Sequence, residues 1–178
     1  MKTRIPRKIF LFLMIFAVLS ANIFAAASYG GTTEIAALRS DADIVVPSPL
    51  KTGDKVGIIA PARRADDPER LRMTVEFLTG KGFEVVVADN IDYETELNLG
   101  GGSEQIRADA FNALARDPDI KAIFCLRGGY ASMHLLPYID YMALRQNRPI
   151  FVGYSDITAM HAAIFQKTGL VTFHGPML

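Results

Sequence analysis

Several residue types and spacings that would point to particular functions are scarce in this chain of 178 residues. Its only cysteine is Cys125, so an internal disulfide is excluded. Its 19 basic and 19 acidic residues balance, and no basic stripe predicts binding to nucleic acid. Its three histidines, His134, His161 and His174, lack the spacing of metal ligands, so the sequence predicts no metal site.

The N-terminal apolar run is also short. Ile9 to Leu19 gives 11 apolar residues after a basic start, which is less than a membrane span needs. Small residues follow, with Ala25 to Ala27 as the cleavage region, so we predict a secretory signal peptide over residues 1–27. An uncleaved N-terminal anchor is the alternative. After cleavage we expect no stable membrane span, and we expect a periplasmic or secreted protein.

Beyond the leader, residues 28–49 show little periodicity and are interpreted as a linker, and residues 50–178 as one folded domain. In that domain apolar strand patterns alternate with helix patterns. Strands are predicted at 55–60, 83–88, 121–126, 150–152 and 170–173, and helices from Pro68 after a cap at Asp67, after a cap at Ser103, and over 131–136 and 156–167. The alternation predicts an α/β fold with a mainly parallel sheet flanked by helices, and sites at the carboxyl ends of its strands.

The most informative stretch surrounds Ser155. An apolar strand at 150–152 runs into Gly153, and Ser155 then precedes an apolar helix pattern. Strand, tight turn with a serine, and helix together form the geometry of a nucleophile elbow. A helix N-cap formed by Ser155 or Asp156 is the commoner explanation of such a pattern, because the elbow's usual last glycine is replaced by Ile157.

A second turn follows the predicted third strand, at Arg127 to Tyr130. Gly128 and Gly129 fit a tight turn, a donor to an oxyanion, or a phosphate cradle, although no Gly-Lys-Ser/Thr ending supports the last of these. Arg127 suits either a substrate carboxylate or an internal acid. Cys125, just before the turn, fits a buried strand residue better than a reactive thiol.

The three histidines are weaker candidates for a catalytic base. His161 lies inside an apolar helix pattern, which favours a core role. His134 and His174 follow the predicted third and fifth strands, and His174 is the better placed of the two. We expect a structural role for each, because nothing in the sequence orients either imidazole.

Three segments in order carry a family resemblance: Cys-Leu-Arg-Gly-Gly-Tyr at 125–130, Gly-Tyr-Ser-Asp-Ile-Thr at 153–158 and Thr-Phe-His-Gly-Pro-Met at 172–177. Together they resemble the LD-carboxypeptidase family of murein tetrapeptide carboxypeptidases and microcin C immunity proteins. The likeness runs from about Leu50 to the last residue. It implies a Rossmann- or flavodoxin-like N-terminal domain, with the family's C-terminal domain missing from this chain.

The resemblance also implies a function and its residues. Ser155 would be the catalytic nucleophile, and backbone N–H groups of Asp156 and Gly128 would stabilise the oxyanion. Arg127, Gly129 and Tyr130 are candidates to bind the substrate, a peptidoglycan peptide cleaved before its C-terminal D-amino acid. No metal or organic cofactor is implied.

The resemblance implies a Ser-His-Glu triad of which this chain would carry only the serine. Its histidine and glutamate would belong to the missing domain, so we expect a truncated and inactive peptidase. A non-catalytic muropeptide-binding module is the alternative. A homodimer is a further arrangement, in which a histidine from the second copy would serve as the base.

Overall fold

The chain is described by a computed structural model that covers residues 44–93 and 101–178. The predicted signal peptide, most of the predicted linker and residues 94–100, between the second predicted strand and the cap at Ser103, lie outside these residues. The elements in chain order are β1 (Lys55–Ile59), α1 (Pro68–Gly80), β2 (Glu84–Val87), α2 (Glu104–Arg116), β3 (Ile120–Cys125), a first 3-10 helix (Ser132–Tyr138), α3 (Tyr141–Asn147), β4 (Ile150–Gly153), a second 3-10 helix (Ser155–Ile157), α4 (Thr158–Thr168) and β5 (Phe173–His174). None of the described helices is long and apolar enough to cross a bilayer.

The five strands form one parallel sheet in the order β2-β1-β3-β4-β5. This confirms the predicted α/β fold class. The chain leaves β1 to build β2 on one side and then crosses to build β3 on the other. Parallel sheets bind their ligands beyond the carboxyl ends of the strands, at such a reversal of direction. The fold therefore points to the loops that follow β1 and β3.

Beyond polar residues near their starts, β1, β2 and β3 are apolar, because helices cover both faces of the sheet. One face packs a buried cluster that includes Phe111, Phe151, Met160 and Ile164 against α2, α3 and α4. The rings of Phe111 and Phe151 meet edge to face with centroids 5.8 Å apart. On the other face, Val56 and Ile58 of β1 belong to a buried cluster with Leu78 of α1. Truncating a fully buried phenylalanine such as Phe111 would cost about 3–5 kcal/mol.

Local capping explains where two helices begin. The carboxylate of Asp67 accepts hydrogen bonds from the N–H groups of Glu69 and Arg70 at 3.0 and 3.2 Å, and Pro68 stands at the first helical position of α1. The hydroxyl of Ser103 accepts from the N–H of Ile106 at 3.3 Å at the start of α2. Both caps confirm the sequence prediction.

Other elements differ from the prediction. The helix expected to stop before Pro137 is a 3-10 helix that contains this proline; in an α-helix the proline ring would clash with the carbonyl four residues earlier. The short helix α3, capped by the carboxylate of Asp140, was not predicted. The fifth strand pairs with β4 only at Phe173 and His174, whereas Leu170 forms a bridge with Val45.

That bridge involves residues that the sequence assigned to the linker. Val45 donates its N–H to the carbonyl of Gly169 at 3.0 Å, and its own carbonyl accepts the N–H of Val171 at 2.8 Å. Pro47 is buried. Contacts with the domain therefore begin on the N-terminal side of Leu50, the predicted start of the fold.

The buried thiol gives a first test of this packing. Burial raises the pKa of Cys125, which lies at the end of β3 with no exposed surface. Because the thiolate is the reacting species, we expect no reaction of the native protein with a disulfide reagent such as DTNB over minutes. Unfolding in guanidinium should release one reactive thiol per chain. Rapid stoichiometric labelling of the native chain would contradict the structure.

Candidate active site

The turn after β4 has the geometry of a nucleophile elbow. Tyr154 is extended, and Ser155, the first residue of the second 3-10 helix, adopts a left-handed backbone with φ of +61°. The side chain of Ser155 is exposed at the carboxyl edge of the sheet. Gly153 is required because a Cβ there would lie 2.7 Å from Cγ2 of Ile157 and 3.2 Å from Cβ of Cys125. The chain turns sharply enough that the helix start packs back on the strand end.

The alternative interpretation of this stretch, a helix N-cap, is wrong. Neither the second 3-10 helix nor α4 has a side-chain cap, and the N-cap positions are Tyr154 and Ile157. The carboxylate of Asp156 accepts a hydrogen bond from another loop. Ser155 is therefore placed in a left-handed conformation without the local hydrogen bond that explains most serines at helix starts.

The glycine turn after β3 lies directly against Ser155. A Cβ on Gly128 would be 3.0 Å from Cβ and 3.3 Å from Oγ of Ser155. The backbone of residue 128 can approach the hydroxyl this closely only because glycine has no side chain. The arrangement suits a backbone donor beside the nucleophile, and the roles of the Gly128 and Asp156 N–H groups in binding an oxyanion stay predictions.

Two hydrogen bonds join the first 3-10 helix, which follows this turn, to the elbow. The N–H of Ser132 donates to Oδ2 of Asp156 at 2.9 Å, and the Ser132 hydroxyl donates to the Asp156 carbonyl at 2.7 Å. Ser132 is fully buried and Asp156 is half-buried, so both bonds are partly shielded from water. The sequence analysis assigned a role only to the backbone N–H of Asp156, as a donor to the oxyanion. Its carboxylate and carbonyl also fix the elbow to the first 3-10 helix.

A buried arginine holds the surrounding loops. Arg107 is 2% exposed and donates from Nε to the carbonyl of Gly102 at 3.1 Å. Its Nη1 donates to the carbonyls of Pro61 and Ala131 at 2.8 and 3.2 Å. These carbonyls belong to the loops after β1, before α2 and after β3. Burial lowers the pKa of Arg107, while the charges of Glu104 and Asp156 oppose that shift.

An open cleft of about 280 Å³ lies beside Ser155. It is bounded by the loop after β1, the first turn of α1, the glycine turn, the elbow and the last two residues of the chain. Its lining consists of Arg63, Ala65, Asp66, Asp67, Arg70, Leu71, Leu126, Arg127, Gly128, Gly129, Tyr154, Ser155, Met177 and Leu178.

The predicted substrate-binding residues differ in their placement. The guanidinium of Arg127 is held in an ion pair by Asp66, and this hydrogen bond keeps the pKa of the Asp66 carboxyl below its usual range. Gly129 lines the cleft with φ of +148°. Tyr130 does not line it; its ring is 57% exposed and meets the ring of His134 edge on at 6.0 Å.

No hydrogen bond joins a histidine to Ser155 within the part of the chain that the structure describes. His134 Nδ1 lies 3.4 Å from a carboxylate oxygen of Glu104. The buried His161 donates from Nε2 to the carbonyl of Gly153 at 2.9 Å. His174 makes ring contacts with His161 and Tyr154, with centroids 5.9 and 6.4 Å away. The described residues 44–93 and 101–178 contain no group of three or more histidine, cysteine, aspartate or glutamate side chains that could hold a metal ion.

The site can be compared with known proteins. A family model described as LD-carboxypeptidase N-terminal domain matches residues 56–175. A probable murein peptide carboxypeptidase of Bacillus subtilis is 41% identical over 132 residues, which is 74% of this chain and 40% of the relative.

Solved structures agree with the sequence match. An MccF-like protein from Bacillus anthracis aligns with a TM-score of 0.70 and 38% identity, covering 75% of this chain and 40% of that one. The microcin C7 self-immunity protein MccF, solved in complex with aspartyl sulfamoyl adenosine, aligns with a TM-score of 0.68 and 40% identity over the same shares. This chain thus spans about 40% of the length of the relatives it matches.

The left-handed backbone at Ser155 has a measurable cost. Glycine tolerates this conformation and alanine does not, so we expect S155G to be about 1 kcal/mol more stable than S155A, although both lose the hydroxyl. The free energy of unfolding in urea measures the difference. The matched control is the exposed mid-helix Ala162, where A162G should be destabilising by up to about 1 kcal/mol. Greater stability of S155A than of S155G would contradict the strained turn.

His161 should make stability depend on pH. Burial lowers its pKa and the nearby His174 lowers it further, while the hydrogen bond to the Gly153 carbonyl acts in the opposite direction. Below about pH 6.5 the unfolded chain binds a proton at this histidine that the folded chain resists, so the free energy of unfolding should fall as pH drops.

The variant H161Q retains an amide N–H for Gly153 and cannot titrate. We expect its free energy of unfolding, measured in urea between about pH 7.5 and about pH 5.5, to fall less steeply than that of the wild type. An unchanged slope would show that the folded protein protonates His161 as readily as the unfolded chain.

Proposed function

Because the chain belongs to the LD-carboxypeptidase family, we propose that it carries the serine nucleophile of a peptidase that cleaves peptidoglycan peptides. The scissile bond is the amide before a C-terminal D-amino acid. The observation that carries the proposal is the left-handed, exposed Ser155 with the backbone of Gly128 against its hydroxyl. The relative named as a murein peptide carboxypeptidase supports the substrate class.

The proposed chemistry is an acyl transfer in two halves. Ser155 Oγ attacks the scissile carbonyl as a base removes its proton, and the oxygen that becomes negative accepts from the N–H groups of Gly128 and Asp156. Losing one such donor typically costs about 3 kcal/mol of transition-state stabilisation. The C–N bond then breaks, the base returns the proton to the leaving amine, and water hydrolyses the acyl-serine.

Among the described residues no histidine forms a hydrogen bond to Ser155, so the base is the part of the triad that this proposal must assign. His161 is committed to the carbonyl of Gly153, and His134 lies beside Glu104. We propose that the histidine and glutamate of the triad come from the C-terminal domain that the family resemblance implies, and that the 178-residue chain alone is inactive as a peptidase. We also propose that residues 1–27 direct export, so that the chain meets cell-wall peptides in the periplasm or outside the cell.

A muropeptide-binding module is the second candidate. It is favoured by the open, charged cleft beside Ser155 and by the lack of a histidine hydrogen-bonded to Ser155 among residues 44–93 and 101–178. Such a module would bind the peptide and leave the amide intact. The two candidates differ in one respect: only the peptidase gains turnover when a second domain is supplied.

The test is release of D-alanine from an L,D-linked tetrapeptide. We expect the 178-residue chain to release none above background, since a triad without its base retains only about 10³–10⁴-fold acceleration over the uncatalysed reaction. A chimera that continues this chain with the C-terminal part of the Bacillus subtilis relative should release D-alanine. In the chimera, S155A should reduce release at least about 10³-fold.

The exposed Ser48, which lies outside the cleft beside Ser155, provides a matched control, and S48A in the chimera should retain full activity. Equal activity of the chimera with and without Ser155 would refute the nucleophile. Ser155-dependent release by the short chain alone would refute the need for a second domain, and would make His134, His174 or a histidine of a second copy the base.

A further inference from the structure

Arg63 is a cleft residue that the sequence analysis did not single out. It lies in the loop after β1 and shares the lining of the cleft with Ser155 and Gly128. Within residues 44–93 and 101–178 its guanidinium makes no hydrogen bond or ion pair, whereas Arg127 is occupied by Asp66. Arg63 therefore offers unused donors to a ligand in the cleft.

The stem of Arg63 is fixed by the glycine turn. A Cβ on Gly129 would lie 2.6 Å from Cγ and 3.1 Å from Cδ of Arg63, so the aliphatic stem packs directly on the backbone of residue 129. That residue follows Gly128, whose backbone contacts Ser155. The arginine is thus anchored one residue from the turn that faces the nucleophile, and less side-chain entropy remains to be lost when it binds a ligand.

The charges of the cleft favour an anion. Three arginines and two aspartates line it, and both aspartates are already engaged. Asp66 pairs with Arg127, and Asp67 accepts the first N–H groups of α1. The charge of Arg63 also helps to lower the pKa of the Asp66 carboxyl. In the described part of the chain the guanidiniums of Arg63 and Arg70 nevertheless form no hydrogen bond or close ion pair, so their donors are open to a ligand.

We propose that Arg63 binds the terminal carboxylate of the peptide whose amide Ser155 attacks, and so selects peptides that end in a free carboxylate. The inference rests on the proposed function. In the leaving residue only the Cα separates the scissile nitrogen from this carboxylate, so the group that binds it must lie in the same cleft as Ser155. A guanidinium matches a carboxylate with two parallel hydrogen bonds. Arg63 is assigned rather than Arg70 because its stem lies on the turn that contacts Ser155.

The role of Arg63 can be tested by measuring how tightly peptides bind to the 178-residue chain, which requires no turnover. The probes are N-acetyl-L-Lys-D-Ala with a free carboxylate and the same peptide as its C-terminal amide, measured by calorimetry or NMR titration. We expect the acid to bind about 10- to 100-fold more tightly than the amide. R63Q should remove this preference, and R63K, which keeps the charge without the fork, should retain part of it.

The exposed Arg148, outside the cleft beside Ser155, is the matched control, and R148Q should keep the full preference for the acid. The assignment of Arg63 would be overturned if R63Q kept the preference for the acid or if R70Q alone lost it. It would also be overturned if the wild type bound acid and amide equally, or bound neither peptide. Each of these results is separate from the proposed function, because Ser155-dependent release of D-alanine by the chimera would still establish the nucleophile.

Discussion

The carboxyl edge of the sheet depends on one buried cation. Arg107 projects from α2 and donates hydrogen bonds to carbonyls of Pro61, Gly102 and Ala131, which come from separate loops. Burying a charge is costly unless its donors are satisfied, so the carbonyls must stay in place as a set. The loops that carry Arg63 and the glycine turn are thereby fixed relative to each other, so these two walls of the cleft are held in place before a ligand binds.

The elbow is fixed to this frame by a second set of bonds. Ser132, next to one of the carbonyls that Arg107 holds, donates both of its hydrogen bonds to Asp156. The strained backbone of Ser155 is therefore supported from outside the turn itself. Strained backbone conformations persist only where the surrounding structure determines them, and they concentrate at functional sites. The turn after β3 and the elbow after β4 behave as one unit, joined across adjacent strands.

Sequence reasoning succeeded where the cause is local. The caps at Asp67 and Ser103, the strand periods and the Gly153–Ser155 turn all depend on residues within a few positions of each other. It failed where the cause lies far along the chain. The sequence analysis did not single out Arg107, because its burial depends on carbonyls 46 and 24 residues away. Nothing in the sequence distinguishes Arg63 from other loop arginines, because its stem packs on Gly129, which is distant in the chain. The helix α3 has only seven residues, too few to show the apolar periodicity of a helix.

The path of the last residues has a practical consequence for anyone who handles this protein. After β5 the chain returns to the cleft, where a Cβ on Gly128 would lie 3.4 Å from the terminal methyl of Met177, and Leu178 lines the same wall. An affinity tag joined after Leu178 would start inside the cleft and compete with any peptide for it. A folded domain joined at the same point would begin at the wall of the cleft that Ser155 also lines, so the length and stiffness of the junction would set its effective concentration at the nucleophile.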